Sequence, residues 1–214
     1  MTAVDIFLVR HGESLNNTLP RDRHQPDPPL TERGRLQVAQ LAHADLWASL
    51  RPQRIISSPL WRAMDTAAPL VARLEVPWLV WADLAEVHRS HPDDGRPVTE
   101  LAAAFPGAVF EAGIRWPGHP GDEDPAAAGA RARRVVARLA DLGGVERVAL
   151  VGHAGFGQYL VRALLSAPQD GSVELLHDNT AVHHLRLREG GATLLRFNDS
   201  AHLAPPFAAS ATGA

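Results

Sequence analysis

Short apolar runs alternate with longer amphipathic ones along most of this chain. Val4 to Val9 is a short, mostly apolar run of the length that suits a buried strand. A polar, proline-rich stretch follows as far as Leu30, and Thr31 then stands where an N-cap would, ahead of a helix expected to run to about Leu50. Arg54-Ile-Ile-Ser predicts a second strand. Ser58-Pro59 reads as an N-cap with proline in the first helical position. Leu60, Ala63, Met64, Ala67, Leu70, Val71 and Leu74 recur at helical spacing and predict one buried face; Pro69 inside that pattern is expected to kink or shorten the helix. Trp78 to Trp81 predicts a third strand.

The pattern changes between about residues 85 and 125. Proline, glycine, histidine and acidic residues dominate there, with one short helical piece near Thr99 to Phe105, so this stretch is expected to be a cap insertion lying outside the main layers. Ala126 to Leu142 predicts a helix closed by Gly143-Gly144. Arg147 to Val151 predicts a strand, Phe156 to Leu165 a helix, and Ala181 to Leu187 and Thr193 to Phe197 two closing strands. From about residue 199 to 214 the chain is rich in alanine and proline and is expected to form a flexible tail. The alternation of strand and helix predicts a single α/β domain over residues 1–214: a three-layer α/β/α sandwich with a central, mainly parallel sheet.

Composition narrows the chemistry. None of the 214 residues is cysteine, which removes disulfides, thiolate nucleophiles and cysteine-ligated zinc. All 21 basic residues are arginine, so no lysine is present to serve a phosphate loop or a Schiff base. A phosphate site in this chain must use arginine, histidine and backbone amides, and arginine is the better planar clamp for a phosphoryl group. A net charge of -3 without a long basic run argues against a nucleic-acid partner. No apolar run is long enough to span a bilayer and no leader pattern opens the chain, so a cytoplasmic protein without a membrane partner is expected.

Sites in open parallel sheets form beyond the carboxyl ends of the strands. Three predicted strand ends carry reactive groups: Arg10-His11-Gly12-Glu13-Ser14, Ser57-Ser58-Pro59 with Arg62 beyond it, and Gly152-His153-Ala154-Gly155. Two arginines and two histidines can therefore meet in one crevice, where helix N-termini add amides that suit an anion. The glycines from Gly152 to Gly157 do not follow the dinucleotide order, and no G-x-S-x-G elbow is present. Glu13 reads equally well as a structural partner of nearby arginines.

Taken together, these motifs resemble the histidine phosphatase superfamily, the phosphoglycerate-mutase-like enzymes. The resemblance runs through Leu8-Val9-Arg10-His11-Gly12-Glu13-Ser14 with Asn17, Pro29-Leu30-Thr31-Glu32-Arg33-Gly34 with Gln37, and Ser57-Ser58-Pro59-Leu60-Trp61-Arg62-Ala63 with Thr66-Ala67. It continues at Leu84-Ala85-Glu86, Val151-Gly152-His153-Ala154-Gly155 and, faintly, Asn179-Thr180.

The resemblance implies that His11 attacks phosphorus and becomes phosphorylated. It implies that Arg10, Arg62 and His153 hold the phosphoryl oxygens, helped by Asn17 and the Ala154 amide. It implies that Glu86 protonates the leaving alkoxide and later deprotonates water. On this reading Glu86 should sit in a partly apolar setting, the pKa values of His11 and His153 should be pushed apart, and the Gly12 carbonyl is the candidate acceptor that fixes the His11 tautomer. The expected substrate is a small phosphorylated metabolite and no cofactor is implied.

The chain departs from the family pattern after Glu86, where Val87-His88-Arg89-Ser90-His91 stands, and Asp83 is the alternative acid. His88 and His91 with Asp93 and Asp94 have loose metal-ligand spacing; they are expected to line the substrate entrance, and no metal is expected. His183 and His184 alternate across a strand and cannot share one ion. Arg131, Arg134 and Arg138 form a helical stripe expected to be solvated. The alternatives to a phosphatase are a cofactor-dependent phosphoglycerate mutase, a protein phosphohistidine phosphatase and a non-catalytic phosphate-binding module. The arginine- and lysine-containing run of the mutases cannot be intact in a chain without lysine.

Overall fold

The computed structural model describes residues 3–87, 95–114 and 123–203. Among these residues seven strands form one sheet: β1 (Val4–Arg10), β2 (Arg54–Ser57), β3 (Trp78–Val80), β4 (Ala108–Phe110), β5 (Arg147–Gly152), β6 (Val182–Arg188) and β7 (Gly191–Asp199). Their order across the sheet is β4-β3-β2-β5-β1-β6-β7. The pairings from β4 through β1 are parallel; β6 and β7 add an antiparallel edge.

Among the described residues six α-helices cover the sheet: α1 (Glu32–Ala42), α2 (Leu46–Leu50), α3 (Trp61–Leu74), α4 (Val98–Ala104), α5 (Pro125–Ala140) and α6 (Ala154–Leu164). Successive side chains of a strand point to opposite faces, and the core divides accordingly. Phe7, Val9, Ile55 and Val151 pack with residues of α1 to α4, whereas Ile6, Leu8, Ile56 and Leu150 pack with α5 and α6. The three-layer architecture expected from the sequence is the one observed. Among the described residues, no helix is long and apolar enough to cross a membrane.

Several local expectations need correction. The helix begun at Thr31, whose hydroxyl accepts from Gly34 N, ends at Ala42 rather than near Leu50. The indole of Trp47 folds back and donates to the Leu41 carbonyl at 2.7 Å, the carbonyl that a continuous helix would have bonded four residues on. Ser58-Pro59 does not open α3. Leu60 is its N-cap, and the first-turn amide of Trp61 is satisfied by the Asp27 carboxylate at 2.7 Å, from 34 residues away. Pro69 does not end α3, which continues to Leu74; the proline lies on the exposed side of the helix. The segment expected to stand outside the layers contributes β4, which pairs with β3 and extends the sheet by one edge strand. Residues 88–94 and 115–122 of that segment, and residues 204–214 of the expected tail, lie outside the described residues. Leu203 at the start of that tail is buried.

Candidate active site

The parallel ladder places the two key histidines side by side. The amide of His11 donates to the Gly152 carbonyl at 2.9 Å, and that of Ser58 to the Val151 carbonyl at 3.0 Å, so β1, β2 and β5 end level. His11 and His153 then face each other with ring centroids 5.2 Å apart, both fully enclosed by protein apart from the cleft. Arg10, His11, Asn17, Arg62, Glu86 and Gly155 line one cleft at these carboxyl ends. Of the seven residues expected to hold or transfer the phosphoryl group, Arg10, His11, Asn17, Arg62 and Glu86 line it directly; His153 is in ring contact with His11, and Ala154 opens α6.

The tautomer of His11 follows from its neighbour. Its Nδ1 lies 2.6 Å from the Gly12 carbonyl oxygen, which can only accept, so Nδ1 carries the proton and Nε2 carries the lone pair. The Gly12 amide donates to Thr66 Oγ1 at 3.0 Å, and that hydroxyl donates to the Arg62 carbonyl at 2.7 Å, so the turn after β1 is fastened to the helix that carries Arg62. Asn179 Nδ2 donates to the His11 carbonyl at 2.9 Å, and the Thr180 amide to the Arg10 carbonyl at 3.1 Å. The sequence marked Asn179 and Thr180 only faintly.

The arginines are held from behind. Arg10 Nη1 donates to the His177 carbonyl, and Arg62 lies 3.6 Å from the buried Asp27 carboxylate that also caps α3. The oxygen of the Asn17 amide accepts from the Ser14 amide at 2.9 Å and from the Ser14 hydroxyl at 3.0 Å; its NH2 remains a donor on the cleft wall. His153 Nε2 is 2.8 Å from Ser58 Oγ.

Burial, followed by the charges of Arg62 and Arg10, holds His11 well below the ordinary histidine range. His153 is lowered in the same way, by burial and then by Arg62, His11, Arg10 and Arg131. Both values move in the same direction, because both rings share the same desolvated pocket and the same arginines. Burial also lowers Arg10, against the opposing charges of Glu86 and Asp178.

Glu86 departs from expectation in its surroundings. The setting is polar: its carboxylate accepts from the Phe156 amide at 2.7 Å, the Val87 amide at 2.8 Å and the Gly155 amide at 3.1 Å. It thus rests on the N-terminus of α6. Asp83, the alternative acid, is engaged elsewhere, 3.1 Å from Arg134 and 3.4 Å from Arg138. Glu13 accepts from Thr31 Oγ1 at 2.7 Å, in line with its structural reading.

The arginine stripe on α5 is not simply solvated. Arg131 is buried, is paired with Glu123, lies over the Phe156 ring and donates to the carbonyls of Asp83 and Ala85. Arg138 bridges Asp83 and Glu111. Helical periodicity predicted their common face but could not reveal what packs on it. His183 and His184 do point apart: His184 Nε2 meets Asp5 at 2.9 Å, while His183 Nδ1 accepts from the Asn198 amide. His88, His91, Asp93 and Asp94 lie outside the described residues; among the described residues no cluster suited to a metal ion is found.

Residues 6–200 match the sequence profile of the histidine phosphatase superfamily, branch 1. The chain belongs to that superfamily. It is 34% identical to a glucosyl-3-phosphoglycerate phosphatase of Mycolicibacterium vanbaalenii over 173 residues, 77% of this chain and 76% of the relative. A solved mycobacterial glucosyl-3-phosphoglycerate phosphatase superposes with a TM-score of 0.68 at 28% identity, covering 92% of this chain and 99% of that one. A phosphoserine phosphatase of Entamoeba histolytica, solved with 3-phosphoglyceric acid, shares the fold with a TM-score of 0.70 at 22% identity over 94% of this chain and all of its own. As a histidine phosphatase, this protein presents its two histidines and two arginines in the order the sequence motifs anticipated.

Proposed function

We propose that this histidine phosphatase hydrolyses small phosphate monoesters in two steps through a phosphohistidine on His11. The observation that carries the reading is the Nδ1 contact of His11 with the Gly12 carbonyl, which leaves an unprotonated Nε2 beside Arg10 and Arg62. In the first step Nε2 forms a bond to phosphorus as the ester P–O bond breaks, and Glu86 gives its proton to the departing alkoxide. In the second step Glu86 takes a proton from water, the water oxygen bonds phosphorus, and the N–P bond breaks to release inorganic phosphate.

Arg10, Arg62 and His153 hold the phosphoryl oxygens, with the Asn17 side chain and the Ala154 amide as further donors. Donors fixed before the reaction, in a site that excludes water, stabilise the charge of the transition state without reorganising. The neutral state of both histidines suits an empty pocket dominated by two arginines. An arriving phosphate supplies the negative charge that favours protonation of His153, which then serves as a charged donor.

Rapid quench with a labelled ester, followed by peptide mapping in alkali, tests the mechanism. Label is expected on the peptide containing His11 and absent after His11→Ala. Label on the His153 peptide reverses the two roles. Substantial turnover by His11→Ala without a trapped intermediate overturns the covalent route. Rapid interconversion of phosphoglycerates with little phosphate release would instead identify a mutase.

A further inference from the structure

The cleft is far larger than a phosphoryl group. Its volume is about 1080 Å³, at the upper end of what ligand pockets enclose, and the reactive groups occupy only one part of it. The geometry points to a second subsite along α6 that takes a polyhydroxylated leaving group, so that the preferred substrates are phosphate esters of sugars or polyols. This inference rests on the phosphatase reading of the same cleft.

One wall is a single helical face. Gly155, Gln158 and Arg162 stand at i, i+3 and i+7 on α6, and all three line the cleft. At 1.5 Å per residue the backbone of Arg162 stands about 10 Å beyond that of Gly155. The face therefore leads away from Glu86, which rests on Gly155, for about the length of a hexose.

The donors on this face are fixed in advance. Arg162 is only 6% exposed; its Nη2 donates to the Val173 carbonyl and, at 3.1 Å, to Gln158 Oε1. Both acceptors are neutral. The contact occupies the oxygen of the Gln158 amide and leaves its NH2 as a donor. Glu174, which also lines the cleft, contributes an acceptor. Across the cleft Asn16 is pinned by reciprocal bonds with the Gln25 backbone, each of 2.9 Å, which steadies that wall.

The chemistry of the lining selects the class of ligand. A lipid or aromatic leaving group needs an apolar wall, and here the wall is built mainly of amides, carboxylates and guanidinium groups. A second phosphate or carboxylate needs an excess of positive charge, but Asp170 and Glu174 stand on the same side as Arg162. Hydroxyl groups both donate and accept, so paired hydroxyls suit planar donors and acceptors set side by side.

The test compares steady-state hydrolysis of glucose 6-phosphate, butyl phosphate and an aryl phosphate by the full chain. We expect kcat/KM for the hexose ester to exceed that for butyl phosphate by about tenfold or more, as a site built for hydroxyls discriminates against an ester without them. Gln158→Leu and Glu174→Leu should each raise KM for the hexose ester roughly tenfold, with a clearly smaller change on butyl phosphate. Equal kcat/KM on the two alkyl esters, or variants that affect both alike, overturns the subsite. Preference for a carboxylate-bearing ester over the hexose ester overturns its class. Failure to hydrolyse any ester defeats the phosphatase reading instead; calorimetric binding of glucose 6-phosphate and butyl phosphate to His11→Ala then still decides the subsite, by tighter binding of the hexose ester or by its absence.

Discussion

The guanidinium of Arg131 donates to the Ala85 carbonyl at 2.7 Å, at the peptide that leads into Glu86. It also donates to the Asp83 carbonyl at 2.9 Å and lies 3.9 Å over the Phe156 ring, whose own amide holds the Glu86 carboxylate. One side chain therefore joins the segment before Glu86 to the helix end on which Glu86 rests. Arg131→Lys keeps the charge opposite Glu123 but cannot hold that carboxylate with Nε and Nη2 while a third nitrogen donates to both carbonyls. We expect it to lower kcat on alkyl phosphates by about tenfold or more, and on aryl phosphates with good leaving groups by much less, since those need little protonation. Equal losses on both ester types would confine Arg131 to stability.

Gly155 bears on Glu86 from the other side. A Cβ built on Gly155 would lie 2.6 Å from Glu86 Oε1 and 3.1 Å from its carboxyl carbon. Gly155→Ala should therefore displace the carboxylate while leaving the helix intact, because alanine is the better helix former. The expected result is an unchanged or higher melting temperature with alkyl phosphate turnover reduced. Glu86→Gln should share the kinetic pattern, with losses of about 10²-fold or more on alkyl esters and smaller losses on aryl ones. Indifference of both ester types to either change would move the acid role to another group.

How much of this was legible beforehand depended on the range of each interaction. The sheet and both core faces follow from local apolar runs, and Arg10, His11, Arg62 and His153 sit at strand ends that the runs locate. The Gly12 carbonyl was foreseeable because it lies one residue from His11. The setting of Glu86 was not, since its amides come from Gly155 and Phe156, about 70 residues away along the chain. Asp27 capping α3 and Arg131 gripping Ala85 were hidden for the same reason. Periodicity identifies a helical face without showing what covers it. The predicted long helix ends at Ala42, where the Trp47 indole takes the Leu41 carbonyl, a side-chain contact that helix propensity does not record.

Divalent metal should be dispensable. The motivation is the set of arginine, histidine and amide donors converging on one pocket, which can neutralise a phosphoryl group unaided. Prolonged treatment with a chelator is expected to leave aryl phosphate hydrolysis within about twofold of the untreated rate, well under the hundredfold or greater losses that follow removal of a transition-state donor. Loss of activity restored by one particular ion would reverse this view.

Stability should fall in mild acid. Burial holds His11 and His153 well below the usual histidine value, pushes His177 down to about 3, and pushes His183 and His202 down to about 4. His177 and His183 are in mutual ring contact, with centroids 4.4 Å apart. In the unfolded chain each of these histidines binds a proton near pH 6.5. Stability is therefore complete above about pH 6.5, and it declines as pH drops toward the folded values because the unfolded state takes up protons that the native state refuses. Each such group contributes a slope of up to about 1.4 kcal/mol per pH unit. Chemical denaturation between pH 7.5 and 5 should show a falling midpoint, and His183→Phe, if it folds, should flatten that fall. A midpoint that is constant or rises toward pH 5 contradicts the sign.

Activity should respond to acid differently from stability. The nucleophile must be unprotonated, and in the empty enzyme His11 is held well below pH 6.5 by burial first and by the Arg62 and Arg10 charges next. The acid limb of kcat/KM, which reports free enzyme and free substrate, should therefore show no titration of His11 near 6.5. Arg62→Gln removes the larger of the two charge effects while preserving much of the side chain's bulk. It should weaken phosphate binding and also move the acid limb upward toward 6.5, because a positive charge that disfavoured protonated His11 is gone. Short assays within the pH range where the fold is intact, checked by circular dichroism at each pH, separate this limb from unfolding. A limb at 6.5 in the unaltered enzyme that does not follow the substrate's own second ionisation, about 6 for a phosphate ester, and is unmoved by Arg62→Gln would mean that the arginines do not set the protonation of the nucleophile.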